Sequence, residues 1–214
     1  MKTTLLLVRH GFSTSNEDGT LTGQLDVPLT PLGVLQGEAA SRYLCENYKV
    51  DAIYASDLVR AVDTVRLLSE KTGFPILTDP DLREMACGTW TGKPIFELKA
   101  RYGTRYTRWA SADNAVFPEG GESWSETAER MRAAVIRIAQ ENEGKTVAIA
   151  THGGALRAFL GLILDIPTAE WQQKLPYAPN ASVTCVTYED GAFAMTGVTD
   201  AYLGALKTEM PKGL

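Results

Sequence analysis

Cysteine is scarce in this sequence, and the few cysteines are scattered. Cys45, Cys87 and Cys185 form no Cys-x-x-Cys pair, and their number is odd. This pattern excludes a zinc-binding motif and a disulfide framework. It favours reduced thiols in a cytoplasmic protein.

Long hydrophobic runs are also missing. The longest apolar run, around residues 158–166, is far too short to span a bilayer. The run Leu5–Val8 near the N-terminus is too short for the apolar region of a signal peptide. We therefore expect no membrane partner.

Positive charge is not in excess. The chain has 21 Lys and Arg against 26 Asp and Glu, a net charge of -5, which argues against a general nucleic-acid partner. A phosphate site would have to be a local basic pocket. The sequence also lacks a Walker-type glycine loop, a nucleotide-binding fingerprint and a carboxylate cluster suited to magnesium. We expect neither a metal nor a cofactor.

Only two histidines occur, and both follow the same kind of segment. His10 follows the apolar run Leu5–Val8 and Arg9, and His152 follows the apolar, β-branched run 146–151. Such bounded runs are typical of strands buried on both faces of a parallel sheet. A single histidine after a strand is usually structural. Two of them predict a site, because open α/β folds bind ligands at the carboxyl ends of their strands.

Strands alternate with helices along the chain. Further strands are predicted at 51–56 and 74–77, and helices at 31–48, 58–68, 124–143 and 155–164. The dipeptide Asp190-Gly191 predicts a hairpin between strands 182–189 and 192–198. This order predicts a three-layer α/β/α sandwich with a mostly parallel central sheet and one antiparallel edge strand. We expect a single domain over residues 1–214, with a loose tail from Leu206.

Residues 86–124 differ in character, because aromatic residues alternate there with lysine and arginine. The segment's one predicted element is a short helix near Pro94–Tyr102. We interpret it as a lid-like excursion over the carboxyl ends of the strands. Its aromatic and basic residues either contact a substrate or pack the excursion down, and packing is favoured for most of them. The candidates for substrate contact are Trp90, Arg105, Trp109 and Trp124.

Two arginines, two histidines and a glutamate fall at the predicted carboxyl edge of the sheet. Arg60 alone would be interpreted as solvent-exposed, since a cation is mildly unfavourable in the first turn of a helix. As a group, and with the helix N-terminus that Gly153 opens, these residues suit a phosphate dianion. A neutral imidazole could attack phosphorus, and a carboxylic acid could protonate the leaving alkoxide and then activate water. The residues are Arg9, His10, Arg60, Glu84 and His152.

Several motifs occur in the order typical of one family. Residues 7–16, Leu-Val-Arg-His-Gly-Phe-Ser-Thr-Ser-Asn, resemble the signature of the histidine phosphatase superfamily, which includes the cofactor-dependent phosphoglycerate mutases. Segments 22–23, 26–30, 56–61, 82–85 and 151–153 follow in the family's order. The resemblance extends along most of the chain and implies a single histidine-phosphatase-like domain.

The resemblance also implies a role for each site residue. His10 would be the nucleophile that becomes phosphorylated, and Glu84 would be the proton donor and later the base. The attacking nitrogen of His10 must be unprotonated, so we expect its other nitrogen to donate to a nearby carbonyl. The residues that would hold the phosphoryl group or the substrate are Arg9, Arg60, His152, Asn16 and Gly23.

Two departures from the family pattern concern the reaction. Phe12 stands where many relatives carry Glu or Gln, which makes this loop more apolar. Glu84 is not followed by the longer insertion of the mutases. Residues 85–92 and 118–123 are instead similar to the compact branch with α-ribazole phosphatase and broad-specificity phosphatases.

We therefore expect a metal-independent phosphomonoesterase that acts on a small phosphorylated metabolite through a phosphohistidine. A phosphoglycerate mutase-type phosphoryl transfer is the first alternative. A non-catalytic phospholigand-binding protein is the second. The edge hairpin or the lid face is the expected surface for a homodimer.

Overall fold

The computed structural model describes residues 1–208, so most of the loose tail predicted from Leu206 onward lies outside the described residues. The preceding segment Ala201–Leu206 forms short 3-10 turns interrupted by non-helical backbone at Gly204. The strands are β1 (Thr3–Arg9), β2 (Thr20–Leu21), β3 (Ala52–Ala55), β4 (Ile76–Thr78), β5 (Lys93–Pro94), β6 (Thr146–Thr151), β7 (Val183–Glu189) and β8 (Ala192–Thr199). The α-helices are α1 (Thr14–Glu17), α2 (Pro31–Asn47), α3 (Val59–Thr64), α4 (Arg66–Thr72), α5 (Ile95–Tyr102), α6 (Thr104–Ala110), α7 (Trp124–Glu141), α8 (Gly153–Ile163) and α9 (Trp171–Lys174).

Six strands form one sheet in the order β4-β3-β6-β1-β7-β8. The first four run parallel, and β7 is antiparallel to both of its neighbours. The strand of opposite direction is therefore β7, one position inside the edge, while β8 forms the edge itself. This mostly parallel sheet confirms the predicted α/β class.

Alternate residues of β1 face opposite layers. Leu5 and Leu7 pack in a core with α7 and α8, while Leu6 and Val8 pack in a second core with α2, α3 and α4. Helices on both sides of a buried sheet give the predicted three layers. No described helix combines the length and the apolar composition needed to cross a membrane.

Local signals fix the starts of the long helices. Thr30 caps α2 by accepting from the Gly33 backbone N–H, and Pro31 follows at the first helical position. Ser123 and Glu126 form a capping box at α7. The predicted helix at 58–68 is divided instead into α3 and α4 by non-helical backbone at Val65.

The two ends of the excursion at residues 86–124 lie side by side, because Cys87 and Gly121 form an isolated β-bridge. It contains the predicted α5 and also α6, which the sequence did not predict. The turn between them is Gly103, with φ of 47°. Aromatic and β-branched residues in α6 have low helix propensity, and the burial of Tyr106 and Trp109 stabilises this helix instead.

Candidate active site

The register of two strands brings the two histidines together. In the parallel pair of β1 and β6, Arg9 lies opposite Thr151, so the next residues of both strands leave the sheet side by side. The ring centroids of His10 and His152 are 5.2 Å apart. Both side chains are buried. The sheet therefore places two imidazoles at its carboxyl edge.

The ring of His10 is oriented by its neighbour's backbone. Its Nδ1 lies 2.7 Å from the carbonyl oxygen of Gly11. A carbonyl oxygen only accepts hydrogen bonds, so Nδ1 carries the proton and Nε2 is the unprotonated nitrogen. This is the tautomer that the sequence predicts for a nucleophile.

Burial keeps both imidazoles neutral. The pKa of His10 lies well below 6.5, first because of desolvation and then because of Arg60 and Arg9. The pKa of His152 lies well below 6.5 for the same first cause, with Arg60 as its next. Neither ring nitrogen of His152 has a hydrogen-bond partner among the described residues. A buried imidazole without a partner is costly in an apolar core but suits a polar ligand.

Two buried arginines give this site its positive charge. Arg9 donates from Nη1 to the Ala178 carbonyl at 2.6 Å, and desolvation lowers its pKa to about 10. Desolvation lowers the pKa of Arg60 to about 10 as well. Both remain protonated near neutral pH. The opposing charge that most strongly raises the pKa of each arginine is Glu84, so the three form one electrostatic group.

Arg60 is buried, not solvent-exposed as its position on a helix alone suggests. Its Nη1 donates to the Leu25 carbonyl at 2.8 Å, and its Nη2 donates to the Gly23 carbonyl at 3.0 Å. These carbonyls belong to the loop after β2, which covers the start of α3. The guanidinium therefore fixes that loop across the site.

Glu84 caps the N-terminus of α8. Its carboxylate accepts from the backbone N–H groups of Gly154 at 3.0 Å and Ala155 at 2.8 Å. The sequence assigned this helix terminus to a phosphate, and the structure shows that it binds Glu84 instead. A helix N-terminus satisfies a carboxylate through its free N–H groups and its dipole. Gly153 lies in the wall of a cleft that Arg9, His10, Arg60 and Glu84 also line, and an added Cβ there would lie 3.1 Å from Nε of Arg9.

Asn16 and Gly23 also line the cleft. Asn16 Oδ1 accepts from Ser13 and from Nδ2 of Asn180. Asn180 in turn donates to the His10 carbonyl at 3.0 Å. Gly23 has φ of 52°, a conformation that favours glycine. Asn16 is thus linked through Asn180 to the backbone of the nucleophile, whereas Gly23 contacts Arg60 through its carbonyl.

The four lid candidates divide into two pairs. Trp109 and Trp124 are buried and line the cleft. Trp90 is buried but lies behind the wall, and Arg105 is exposed and stacks over the Trp90 ring at 5.9 Å. Trp90 and Arg105 therefore pack the excursion, as the packing interpretation favours.

Sequence reasoning missed Arg130 on α7. Its guanidinium is paired with Glu122 at 2.7 Å and donates to the backbone carbonyls of Arg83 and Glu84. Glu122 also accepts from the Ala86 N–H. An arginine on an amphipathic helix is indistinguishable by pattern from a solvated one, so no sequence signal identified this support for Glu84. Tyr177, on the cleft wall in an irregular segment, was missed for a similar reason.

One protein-family model covers most of the chain. Residues 5–201 match the model of the histidine phosphatase superfamily (branch 1). The chain belongs to this superfamily. Within residues 1–208 no group of three or more His, Cys, Asp or Glu side chains is placed to hold a metal ion.

Relatives of known name are similar over most of the chain. A metal-independent phosphoserine phosphatase of Arabidopsis thaliana is 34% identical over 200 residues, 92% of this chain and 82% of the relative. Glucosyl-3-phosphoglycerate phosphatase of Mycobacterium tuberculosis is 34% identical over 175 residues, 78% of each chain. Probable phosphoglycerate mutase GpmB of Yersinia pestis is 31% identical over 193 residues, 89% of this chain and 87% of the relative.

Solved structures share the fold. Mycobacterial glucosyl-3-phosphoglycerate phosphatase in complex with VO3 superposes with a TM-score of 0.82 at 31% identity, covering 90% of this chain and 96% of that one. YhfR of Bacillus stearothermophilus gives a TM-score of 0.85 at 31% identity, covering 91% and 95%.

Proposed function

We propose that this protein is a metal-independent phosphomonoesterase that works through a phosphohistidine on His10. The observation that carries the proposal is the hydrogen bond from His10 Nδ1 to the Gly11 carbonyl. It leaves Nε2 with a free electron pair in a cleft that Arg9 and Arg60 also line. A neutral, oriented imidazole between two cations is suited to attack a phosphate dianion.

In the first step, Nε2 of His10 forms a bond to phosphorus as the ester P–O bond breaks. Arg9 and Arg60 bind the phosphoryl oxygens and offset the charge of the transition state. His152, whose ring centroid lies 5.2 Å from that of His10, donates a ring N–H to a phosphoryl oxygen. The unpartnered ring nitrogens of His152 support this role, because a phosphoryl oxygen would satisfy one of them.

Glu84 supplies and then removes a proton. In the first step it protonates the leaving alkoxide, and in the second it takes a proton from the water that attacks the phosphohistidine. The second step releases inorganic phosphate and restores His10.

The relatives support hydrolysis of a small phosphorylated metabolite, since two of those named above are phosphatases of such compounds. The relative named probable phosphoglycerate mutase GpmB keeps phosphoryl transfer as the alternative. A bisphosphate-primed mutase assay separates the two, because only a mutase returns the phosphoryl group to a second acceptor. The expected homodimer and the cytoplasmic location stay predictions.

The test is hydrolysis of a panel of phosphate monoesters in EDTA. We expect turnover by the wild type, a loss of at least about 10³-fold in His10→Ala, and a large loss in Glu84→Gln. Glu97→Gln, an exposed carboxylate variant on α5, is the control. Quenching during turnover with an alkaline denaturant should trap on the wild type a phosphoryl group that is stable to alkali and labile to acid. Wild-type protein that binds phosphate without turnover would favour the phospholigand-binding alternative.

A further inference from the structure

Few of the side chains that line the cleft are charged. Among the described lining residues, the charged side chains are Arg9, Arg60 and Glu84, which lie around His10. The remaining wall includes the hydroxyls of Thr20 and Thr22. Its other main surfaces are apolar or aromatic: Leu21, Met85, Ile95, Trp109, Trp124 and Tyr177.

The cations of the excursion lie outside the cleft. Lys99 stacks over the Tyr106 ring and Arg101 over the Tyr102 ring, at 5.8 and 5.6 Å from the centroids. Arg108 pairs with Asp113 at 2.8 Å. Neither these residues nor Arg105 line the cleft. Of the rings of the excursion, Trp109 and Trp124 line the cleft, whereas none of its lysines and arginines does. The remaining cation, Lys93, lies opposite Leu21 in the pair of β2 and β5.

One further cation lies behind the wall. The Arg157 guanidinium is 4.6 Å from the ring centroid of Tyr177 and 5.9 Å from that of Trp124, and its Nε donates to the Leu175 carbonyl at 2.9 Å. Arg157 is buried and does not line the cleft. The two rings therefore separate its charge from the cleft.

This distribution disfavours an acidic leaving group. A carboxylate placed against the apolar wall would lose its hydration without gaining a cation, which is costly. An alkyl or aryl group placed there would remove apolar surface from water on both sides, which is favourable. The names of the relatives above refer to phosphoserine and to glucosyl-3-phosphoglycerate, both of which carry a carboxylate.

We infer that the preferred substrates of this enzyme are monoesters of apolar alcohols, with an aromatic or alkyl group of no charge against the excursion. This inference rests on the proposed function, because the phosphate is placed at His10. The wall residues that select the substrate are Ile95, Trp109, Trp124 and Tyr177.

The first test compares two primary alkyl esters that differ only at the far end. 2-Phenylethyl phosphate carries a ring where 3-phosphonooxypropanoate carries a carboxylate, and their leaving alcohols are of similar reactivity. We expect kcat/KM to be about 10- to 100-fold higher for the phenyl ester. Equal or higher kcat/KM for the carboxylate ester would overturn the inference and leave the proposed function standing.

A designed reversal sharpens this test. Ile95 lines the cleft, whereas its neighbour Phe96 is 71% exposed and does not. Ile95→Arg should reduce the preference for the phenyl ester at least about tenfold, because it gives the carboxylate a partner. Phe96→Arg adds the same charge on the same helix and should leave the preference unchanged. A preference that moves equally in both variants would contradict selection by the wall.

Binding separates this inference from the chemistry. Calorimetric titration with 3-phenylpropylphosphonate and 4-phosphonobutanoate, which cannot be hydrolysed at the replaced oxygen, measures the same preference without turnover. Tighter binding of the phenyl compound supports the inference even if no ester is hydrolysed, and that lack of hydrolysis would overturn only the proposed function. Equal binding of the two phosphonates would overturn the inference itself.

Discussion

Glu84 and Gly154 are in such close contact that a side chain at position 154 would displace the carboxylate. The Gly154 N–H donates to Glu84 Oε2 at 3.0 Å, and an added Cβ would lie 2.6 Å from Oε1. The glycine is therefore required by its neighbour, since its own φ lies outside the range that favours glycine. The N-terminus of α8 and the carboxylate of the proposed acid Glu84 are therefore packed with no room for a side chain between them.

Gly154→Ala should lower kcat about 10- to 100-fold, because it displaces the proton donor by a fraction of an ångström or more. The fold should survive, since alanine favours a helix over glycine by about 1 kcal/mol. Steady-state kinetics and thermal unfolding of the same samples measure both. Gly73→Ala is the control, because Gly73 ends α4 with φ of 75°, which strains alanine, while an added Cβ there would meet nothing within 4 Å. The control variant should lower stability and leave kcat unchanged. A wild-type kcat in Gly154→Ala would contradict the role of Glu84.

Stability should fall between pH 6.5 and 5. The folded pKa values of His10 and His152 lie well below 6.5, so the unfolded chain binds more protons in this window and unfolding becomes easier as pH falls. Each histidine contributes up to about 1.4 kcal/mol per pH unit. Asp57 and Glu122, whose pKa values are lowered, lose their contribution only in more acid solution. Thermal unfolding from pH 7.5 to 5 in buffer without phosphate checks this, and a constant Tm would show that the histidines are not buried as neutral groups.

Arg60→Lys should raise KM and lower kcat, with a combined loss of about 10- to 100-fold in kcat/KM. Lysine keeps the charge but loses the fork that binds the carbonyls of Gly23 and Leu25 and, in our proposal, the phosphate. Arg66→Lys is the matched control, because Arg66 pairs with Asp63 on the exposed side of α4. Unchanged kinetics in Arg60→Lys would show that charge alone suffices.

Arg130→Met should destabilise the protein by about 2–3 kcal/mol, because it leaves Glu122 without its partner and frees the carbonyls of residues 83 and 84. It should also lower kcat, since the backbone of Glu84 loses its anchor. Arg132→Met is the control on the same helix, where an exposed pair with Glu129 contributes little. A loss of kcat without any loss of stability would mean that Arg130 acts on the substrate and not on the loop.

The parts that depend on local pattern could be predicted from the sequence. The apolar runs ending at His10 and His152 identified β1 and β6, and the caps at Thr30 and Ser123 identified the starts of α2 and α7. Because parallel strands end at one edge, the same runs predicted that the two histidines meet there. The tautomer of His10 followed from the chemistry that a nucleophile needs.

The features that depend on partners distant in the sequence could not be predicted from it. The burial of Arg60 requires the carbonyls of Gly23 and Leu25, more than thirty positions earlier, and nothing near Arg60 in the sequence indicates them. The helix terminus at Gly154 shows a capacity for an anion but not which anion occupies it, and Glu84 is 70 residues away. Tertiary packing also stabilises α6 against its low propensity.

All four tryptophans belong to one chain of ring contacts. Trp90 meets Trp109 at 5.5 Å, Trp109 meets Trp124 at 6.2 Å, and Trp124 meets Trp171 at 5.5 Å. Since the two middle rings line the cleft, the tryptophan emission of this protein originates in and beside its proposed substrate pocket. Occupancy of the pocket should therefore change the intrinsic tryptophan fluorescence. The binding of unlabelled compounds can then be measured from this emission.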